Sequence, residues 1–293
     1  MLFKELLNLY LKDKPRSPYS VINIRTTFER HILPILGNKD IQKITTKDAR
    51  EYLFYLEHKK VKRMNKHLAP ATKASIYRYC ICLFNFAIRE NFLDKNPFTI
   101  LRVRFKESAA PIKILTPEEA IQLLHANYVD KQYKFYVYLG LCAGLRRGEI
   151  RALRWEDIDL EHKILHICRT SVFYNAEIYF KLPKNNQRRY IPISDILYNF
   201  LIKYKKHTDT EGEIISMRPD CLTVWFTKFA NKQGLNISFK GLRKTFGSLL
   251  LQNQTNIYDV SHLLGHSSIK VTERNYLGIS YTIQKDAVNR LYK

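Results

Sequence analysis

Four short segments hold side chains whose types suit the cleavage of a phosphodiester. They are Gly144-Leu145-Arg146-Arg147-Gly148-Glu149, Lys184-Asn185-Asn186-Gln187-Arg188-Arg189-Tyr190, Lys240-Gly241-Leu242-Arg243-Lys244, and Leu264-Gly265-His266, with Tyr276 ten residues beyond the histidine. A phosphodiester is a poor electrophile because its anionic oxygens repel a nucleophile. Two guanidiniums, Arg146 and Arg243, could clamp both non-bridging oxygens, since each offers planar donor pairs that match phosphate. Such a clamp stabilises a pentacoordinate transition state and fills the place of a metal ion. A tyrosine hydroxyl is mostly protonated at neutral pH and needs cationic neighbours as a nucleophile. Lys240 or His266 could assist removal of its proton or bond the phosphate. The departing 5′-oxygen needs a proton, and Lys184 in a polar turn between strands is a suitable general acid.

Taken singly, each residue has a plainer reading. Arginines near a helix start are usually solvated or ion-paired, a turn lysine is usually surface, and Tyr276 is one of 19 tyrosines. A histidine after a glycine is more often a cap than a catalyst. The elements that would position the four segments therefore matter.

The first hundred residues read as helical. The stretch Phe3–Lys12 has apolar residues at 3, 6, 7 and 10. A second periodic stretch covers residues 21–36 and ends at Gly37, a C-cap candidate. Thr46 is expected to cap a third helix with Tyr52, Leu53 and Leu56 inside, and Thr72 a fourth with Ile76, Cys80, Leu83, Phe84 and Ala87 buried, closing before Asn96-Pro97. A polar, basic stretch over 102–111 is the linker candidate. Thr116-Pro117-Glu118-Glu119 then reads as a strong helix start. Strand-like runs follow at 163–168, 171–181 and 189–193, and helical patterns return from Asp195 onward. The expected organisation is a helical domain over 1–105, a basic linker over 106–114, and a mixed domain over 115–293.

The charge fits a polyanionic partner. The 293 residues carry 49 Lys+Arg against 27 Asp+Glu, a formal net charge of +22. Residues 1–110 hold 22 basic and 10 acidic side chains, which leaves about equal excess in the rest, so both halves are basic. No apolar run approaches the ~20 residues of a membrane span, and the N-terminal stretch lacks secretory-signal features. The expected location is the cytoplasm. The five cysteines, Cys80, Cys82, Cys142, Cys168 and Cys221, lack zinc spacing and read as buried free thiols.

In order and spacing, the arginine, the turn lysine, the Lys-x-x-Arg, the Gly-His and the tyrosine resemble the tyrosine recombinase (phage integrase) family. The likeness covers nearly the whole chain. It implies a mainly α fold with a small antiparallel β-sheet: a helical SAM-like core-binding domain, including His31-Ile32-Leu33-Pro34-Ile35-Leu36-Gly37, and a mixed α/β catalytic domain. By resemblance Arg146 and Arg243 bind the phosphate, Lys184 is the hairpin lysine, His266 takes the family's His/Trp position, and Tyr276 is the nucleophile, favoured over Tyr281 by spacing. Lys240 stands where most members carry histidine, and Lys244 where many repeat it; the first departure puts the proton-accepting role in doubt. Glu149 is expected to support the fold and Arg146.

The implied activity is site-specific recombination of double-stranded DNA through a 3′-phosphotyrosyl intermediate, with no cofactor, metal or ATP. The two domains would clamp the duplex, as an integrase or Xer-like resolvase lacking an arm-binding domain. Candidate backbone contacts are Lys59, Lys60, Lys62, Arg63, Lys73, Arg78, Arg102 and Arg104. Ile283, Ala287 or Val288, and Leu291 fall on one helical face, which in related recombinases docks on a neighbour in a cyclic homotetramer. Alternatives are a type IB topoisomerase, a metal-dependent nuclease built on Asp159, Glu161 and Lys163, and a non-catalytic DNA-binding regulator.

Overall fold

The computed structural model describes residues 1–61, 66–101, 103, 105, 112–174, 177–183, 188–207 and 212–273. The chain divides into two compact units, Met1–Ala110 and Pro111–Lys293. Residues 106–111 of the expected linker lie outside the described residues.

The first unit is helical. Helix α1 (Phe3–Lys12) buries Phe3, Leu6, Leu7 and Leu11. Leu11, not the expected Tyr10, completes its inner face; the Tyr10 ring packs edge-on against Phe86 and under the Arg16 guanidinium. The stretch expected as one helix is interrupted. Helix α2 (Pro18–Thr27), capped by Ser17, runs into a π-helical turn at Phe28–Ile32 and then the short α3 (Leu33–Leu36). Pro34 explains the break: it lacks an N–H, and its ring crowds the carbonyl four residues earlier, that of Arg30. That carbonyl accepts instead from the Lys59 amine at 2.8 Å. Gly37 is the C-cap of α3, as expected, and holds that place in right-handed conformation.

Helix α4 (Thr46–His58) is capped by Thr45, not Thr46. A capping box needs an acid three residues on, and Asp48 supplies it: its carboxylate accepts from the Thr45 N–H at 2.8 Å. The short strands β1 (Lys60–Val61) and β2 (Lys66–His67) pair antiparallel. Helix α5 (Pro70–Arg89) starts two residues before the expected Thr72, because proline at the first position is pre-set for helix and needs no side-chain cap. Its buried face includes Ile76, Cys80, Leu83, Phe84 and Ala87, as the periodicity indicates. Asn96 then fixes the chain's exit. It is 5% exposed. Its amide donates to the Ile81 carbonyl at 3.0 Å and Asn85 Oδ1 at 2.7 Å, and its oxygen accepts from the Phe98 N–H at 2.9 Å.

The second unit is built around one central helix. After α6 (Pro117–His125), capped by Thr116 as expected, α7 (Lys131–Cys142) buries every residue from Phe135 to Leu141. A helix apolar all round must be enclosed, and α7 packs against α6, α8 (Arg147–Ala152), α9 (Asp195–Lys205) and α11 (Phe239–Gln252). Strands β3 (Ile158–Asp159), β4 (Ile164–Ile167) and β7 (Arg189–Pro192) form one antiparallel sheet in the order β3-β4-β7. The run expected as one strand over 171–181 is two antiparallel strands, β5 (Thr170–Tyr174) and β6 (Glu177–Lys181), with Tyr174 opposite Glu177. Segment 182–188 therefore links two different sheets. Strand β5 packs on α8. A Cβ on Gly148 would lie 2.6 Å from the Ser171 carbonyl, so this approach requires glycine. Helices α10 (Pro219–Lys232), α11 and α12 (Ile257–Leu264) complete the unit, and α12 packs on α11 and β7.

The cysteines are free, but not uniformly buried: Cys80 is enclosed, while Cys221 on α10 is exposed. Among the described residues no helix is long and apolar enough to cross a membrane.

The Asn96 cluster is open to test. Asn96→Ala strands the buried Phe98 N–H and should lower unfolding free energy by about 2 kcal/mol, the usual cost of an unpaired buried donor, measured as a lower urea midpoint at unchanged slope.

Candidate active site

Three elements bring the candidate residues of the second unit together. Arg146 caps α8, Arg243 lies one turn inside α11, and His266 follows the C-terminus of α12. The C-terminal turn of α12 is the common anchor. The Nε of Arg189 donates to the Leu263 carbonyl at 2.8 Å, a terminal nitrogen of Arg243 donates to the Leu264 carbonyl, and Arg146 Nη2 donates to the Gly265 carbonyl at 2.9 Å. Three successive carbonyls thus each accept from a different arginine. Carbonyls at a helix C-terminus lack intrahelical donors and carry the negative end of the helix dipole, so cations are favoured there. Arg243 Nη1 also donates to the Gly144 carbonyl at 2.8 Å.

Two glycines make the turn possible. Gly265 has φ +59 and ends α12 in left-handed conformation. A Cβ there would press on the Arg189 guanidinium at 3.0 Å. Gly144 has φ +62, and a Cβ would lie 2.4 Å from the Phe246 ring.

Glu149 is the counter-charge. Its Oε1 accepts from Arg146 Nη1 at 2.7 Å and Arg189 Nη1 at 3.1 Å; its Oε2 accepts from the Arg146 N–H at 2.9 Å and Arg189 Nη2 at 2.8 Å. Arg243 Nη1 stands 4.0 Å away. Burial alone would raise the Glu149 pKa. The hydrogen bonds and charge of Arg189, with the charge of Arg146 and its backbone N–H, outweigh burial and hold the carboxyl at about 2.

The arginines differ in what they leave accessible. The Arg189 side chain is 2% exposed, Arg243 11% and Arg146 37%. Arg146 and Arg243 line an open cleft of about 410 Å³ together with Leu145, Arg147, Phe239 and Lys240, while Arg189 lies behind it. Lys240 and Arg243 are one turn apart on α11, so both reach the same cleft. The first turn of α11 faces it too, the helix end that favours an anion. The cleft is therefore shaped and charged for an oxyanion.

His266 sits beside this cluster. Burial lowers its pKa first, and the charges of Arg243, Arg146 and Arg189 lower it further, to about 4. The ring is neutral at physiological pH. Its Nδ1 lies 2.8 Å from Thr272 Oγ1.

The structure thus gathers Arg146, Lys240, Arg243 and His266. Lys184 and Tyr276 lie outside the described residues, as do Lys62, Arg63, Arg102, Arg104 and the terminal segment over 282–291. Of the other candidate DNA contacts, Lys60 and Arg78 are exposed on the first unit. Lys59 and Lys73 instead donate to helix carbonyls, those of Arg30 and Glu57 at 2.8 and 2.9 Å. In the alternative nuclease trio, Asp159 accepts from the His162 N–H and Lys163 pairs with Asp195. Arg189 is the residue that sequence reasoning missed. Alternating burial along β7 puts it on the same inner face as Ile191, an arginine where the strand pattern calls for an apolar side chain.

The Glu149 network has a pH signature. Its folded pKa lies below the ordinary 4.5, so its contribution is full above that value and is lost as pH falls from about 4.5 toward 2. Glu149→Gln should lower stability at pH 7 by about 3 kcal/mol, as breaking a buried pair does. The gap from the parent should narrow as pH falls through that window, read by urea titrations at several pH values.

The fold agrees with comparisons to known proteins. A model described as the phage integrase family matches residues 113–282, and one described as the phage integrase N-terminal SAM-like domain matches residues 2–57. Tyrosine recombinase XerA of Saccharolobus solfataricus is 28% identical over 254 residues, covering 86% of this chain and 80% of its own. The ICEBs1 integrase of Bacillus subtilis is 23% identical over 310 residues, covering 99% and 82%. Among solved structures, the Tn1549 transposon integrase bound to transposon right end DNA superposes with a TM-score of 0.80 at 19% identity over 100% of both chains. A lambda integrase dimer bound to a COC′ core site gives 0.72 at 19% identity, over 94% and 95%. The fold is shared with those integrases, and the catalytic-domain match spans more than half of the sequence: this chain belongs to the phage integrase family of tyrosine recombinases.

Proposed function

We propose that the protein is a site-specific recombinase of double-stranded DNA that works through a 3′-phosphotyrosyl intermediate. The observation that carries this reading is the placement of Arg146 and Arg243 on one open cleft with their guanidiniums anchored from behind. Fixed guanidiniums stabilise a transition state without reorganising during the reaction. Arg146 has five N–H donors, and its bonds to Glu149 and Gly265 leave others for a ligand.

In this mechanism Arg146 and Arg243 hold the non-bridging oxygens. The Tyr276 oxygen attacks phosphorus, a new P–O bond forms, and the bond to the 5′-oxygen breaks. Lys184 supplies the proton that this oxygen takes away. Lys240, on the cleft, bonds the phosphate or receives the tyrosine proton, and His266 serves beside it. The phosphotyrosyl bond keeps the energy of the cleaved linkage, so a 5′-hydroxyl from another strand can reverse the step without ATP.

Charge supports the remainder of the reading. Both units are basic, in keeping with a diffuse grip on duplex backbone that weakens steeply with salt. The first unit would act as core-binding domain, with Lys59, Lys60, Lys62, Arg63, Lys73, Arg78, Arg102 and Arg104 as backbone contacts. A lambda integrase tetramer bound to a Holliday junction shares this fold at 20% identity. By that likeness the amphipathic segment over 282–291 docks on a neighbouring copy in a homotetramer, and the protein acts in the cytoplasm.

The decisive experiment uses a pool of sequence-randomised nicked duplexes in EDTA, with recovery of adducts that survive detergent. The parent protein should yield a covalent complex, and Tyr276→Phe none. Arg146→Ala and Arg243→Ala should retain duplex binding yet lose adduct formation by about 100-fold or more, the scale for removing a transition-state donor. An adduct persisting in Tyr276→Phe would reassign the nucleophile.

Truncation after Tyr281 tests assembly. Cleavage of the recovered duplex should persist, while tetramers on DNA and exchange between two sites should be lost, read by light scattering and by recombinant product on gels.

A further inference from the structure

The hydroxyl of Thr272 has no role in the chemistry above, yet it is fully buried and meets the ring of His266. Among the described residues its one hydrogen-bond partner is His266 Nδ1, at 2.8 Å. A buried hydroxyl proton without an acceptor is costly, so it points at that nitrogen. Nδ1 must then be the acceptor, because burial, together with the guanidiniums of Arg243, Arg146 and Arg189, keeps the imidazole neutral. A neutral imidazole carries one proton. With Nδ1 unprotonated, the proton resides on Nε2.

We propose that Thr272 is the positioning residue that fixes His266 as the Nε2–H tautomer, so that the ring meets the phosphate with its one N–H already in place. This rests on the recombinase reading of the cleft. His266 is held from two sides. Its own N–H donates to the Ser261 carbonyl at 3.0 Å, which fixes the backbone beyond the left-handed Gly265, and Thr272 fixes the ring. Thr272 also stands four residues before Tyr276, so the bond ties the histidine to the stretch of chain that carries the nucleophile.

The test has a spectroscopic and a kinetic arm, both on the full chain. Nitrogen-15 NMR of the imidazoles, with the His266 signals identified by their loss in His266→Gln, should show Nδ1 unprotonated and Nε2 protonated at pH 7. Thr272→Val, nearly isosteric, should give a mixture of the two tautomers. It should slow adduct formation on the duplex recovered from the randomised pool by roughly tenfold, the lower end for losing a residue that orients a histidine, with duplex affinity unchanged. Thr272→Ser should recover most of the lost rate and the single tautomer. The proposal is overturned if Nδ1 carries the proton in the parent protein, or if Thr272→Val reacts at the parent rate. It is also overturned if Thr272→Ser is as slow as Thr272→Val. Parent-like adduct formation by His266→Ala would overturn instead the assignment of His266 to the reaction.

Discussion

The catalytic unit depends on a single packing problem: how to hold three guanidiniums side by side at the edge of a cleft. Like charges at such distances repel, and each loses hydration as it is enclosed. The solution is the C-terminal turn of α12 plus one carboxylate. Leu263, Leu264 and Gly265 offer consecutive carbonyls to Arg189, Arg243 and Arg146, and Glu149 occupies the space between Arg189 and Arg146. One negative charge does not balance three positive ones. The remainder is met by partial charges of the backbone, which are fixed by the fold and need no counter-ion. The cluster therefore stays cationic on its open side.

This arrangement explains why residues far apart in sequence must agree. The turn of α12 requires the left-handed Gly265, and the carbonyl of Gly144 is available to Arg243 because Gly144 adopts positive φ beneath Phe246. Strand β7 contributes Arg189 only because its register with β4 turns that side chain inward with Ile191. Tight approach of α8 to β5 at Gly148 then fixes the paired strands β5 and β6 against the helix that Arg146 caps. Arginine, helix end, strand register and glycine form one unit, and a change in any of them moves the others.

Much of this was legible in the sequence, for identifiable reasons. Helices with strong caps or long apolar faces, such as Phe3–Lys12 and Pro117–His125, follow from local rules. Arg146, Lys240, Arg243 and His266 stood out by type and spacing, and they meet. The misplaced starts at Thr46 and Thr72 reflect competition between adjacent cap signals, which Asp48 and Pro70 decide. The split of 171–181 into two paired strands was hidden because strand-forming residues flank it closely on both sides, Phe173-Tyr174 before and Ile178-Tyr179-Phe180 after. The carbonyl anchors had no sequence signature at all, since every residue has a carbonyl and only tertiary packing selects three. Thr272 was equally silent: a buried threonine on a helix is ordinary until its partner is known.

Net charge, finally, conflates two kinds of cation that this structure separates. Lys60 and Arg78 are exposed on the first unit, where a charge acts through number and distance and is screened by salt. Arg146 and Arg243 act through angle, set by the carbonyls behind them, and neither number nor salt substitutes for that. The same cationic cluster constrains His266. Burial and the three guanidiniums together lower the pKa of the imidazole to about 4, so a cluster charged for a phosphate holds a neutral ring among its charges. A neutral ring has one N–H to give, and its direction is decided by a hydroxyl six residues along the chain, at Thr272.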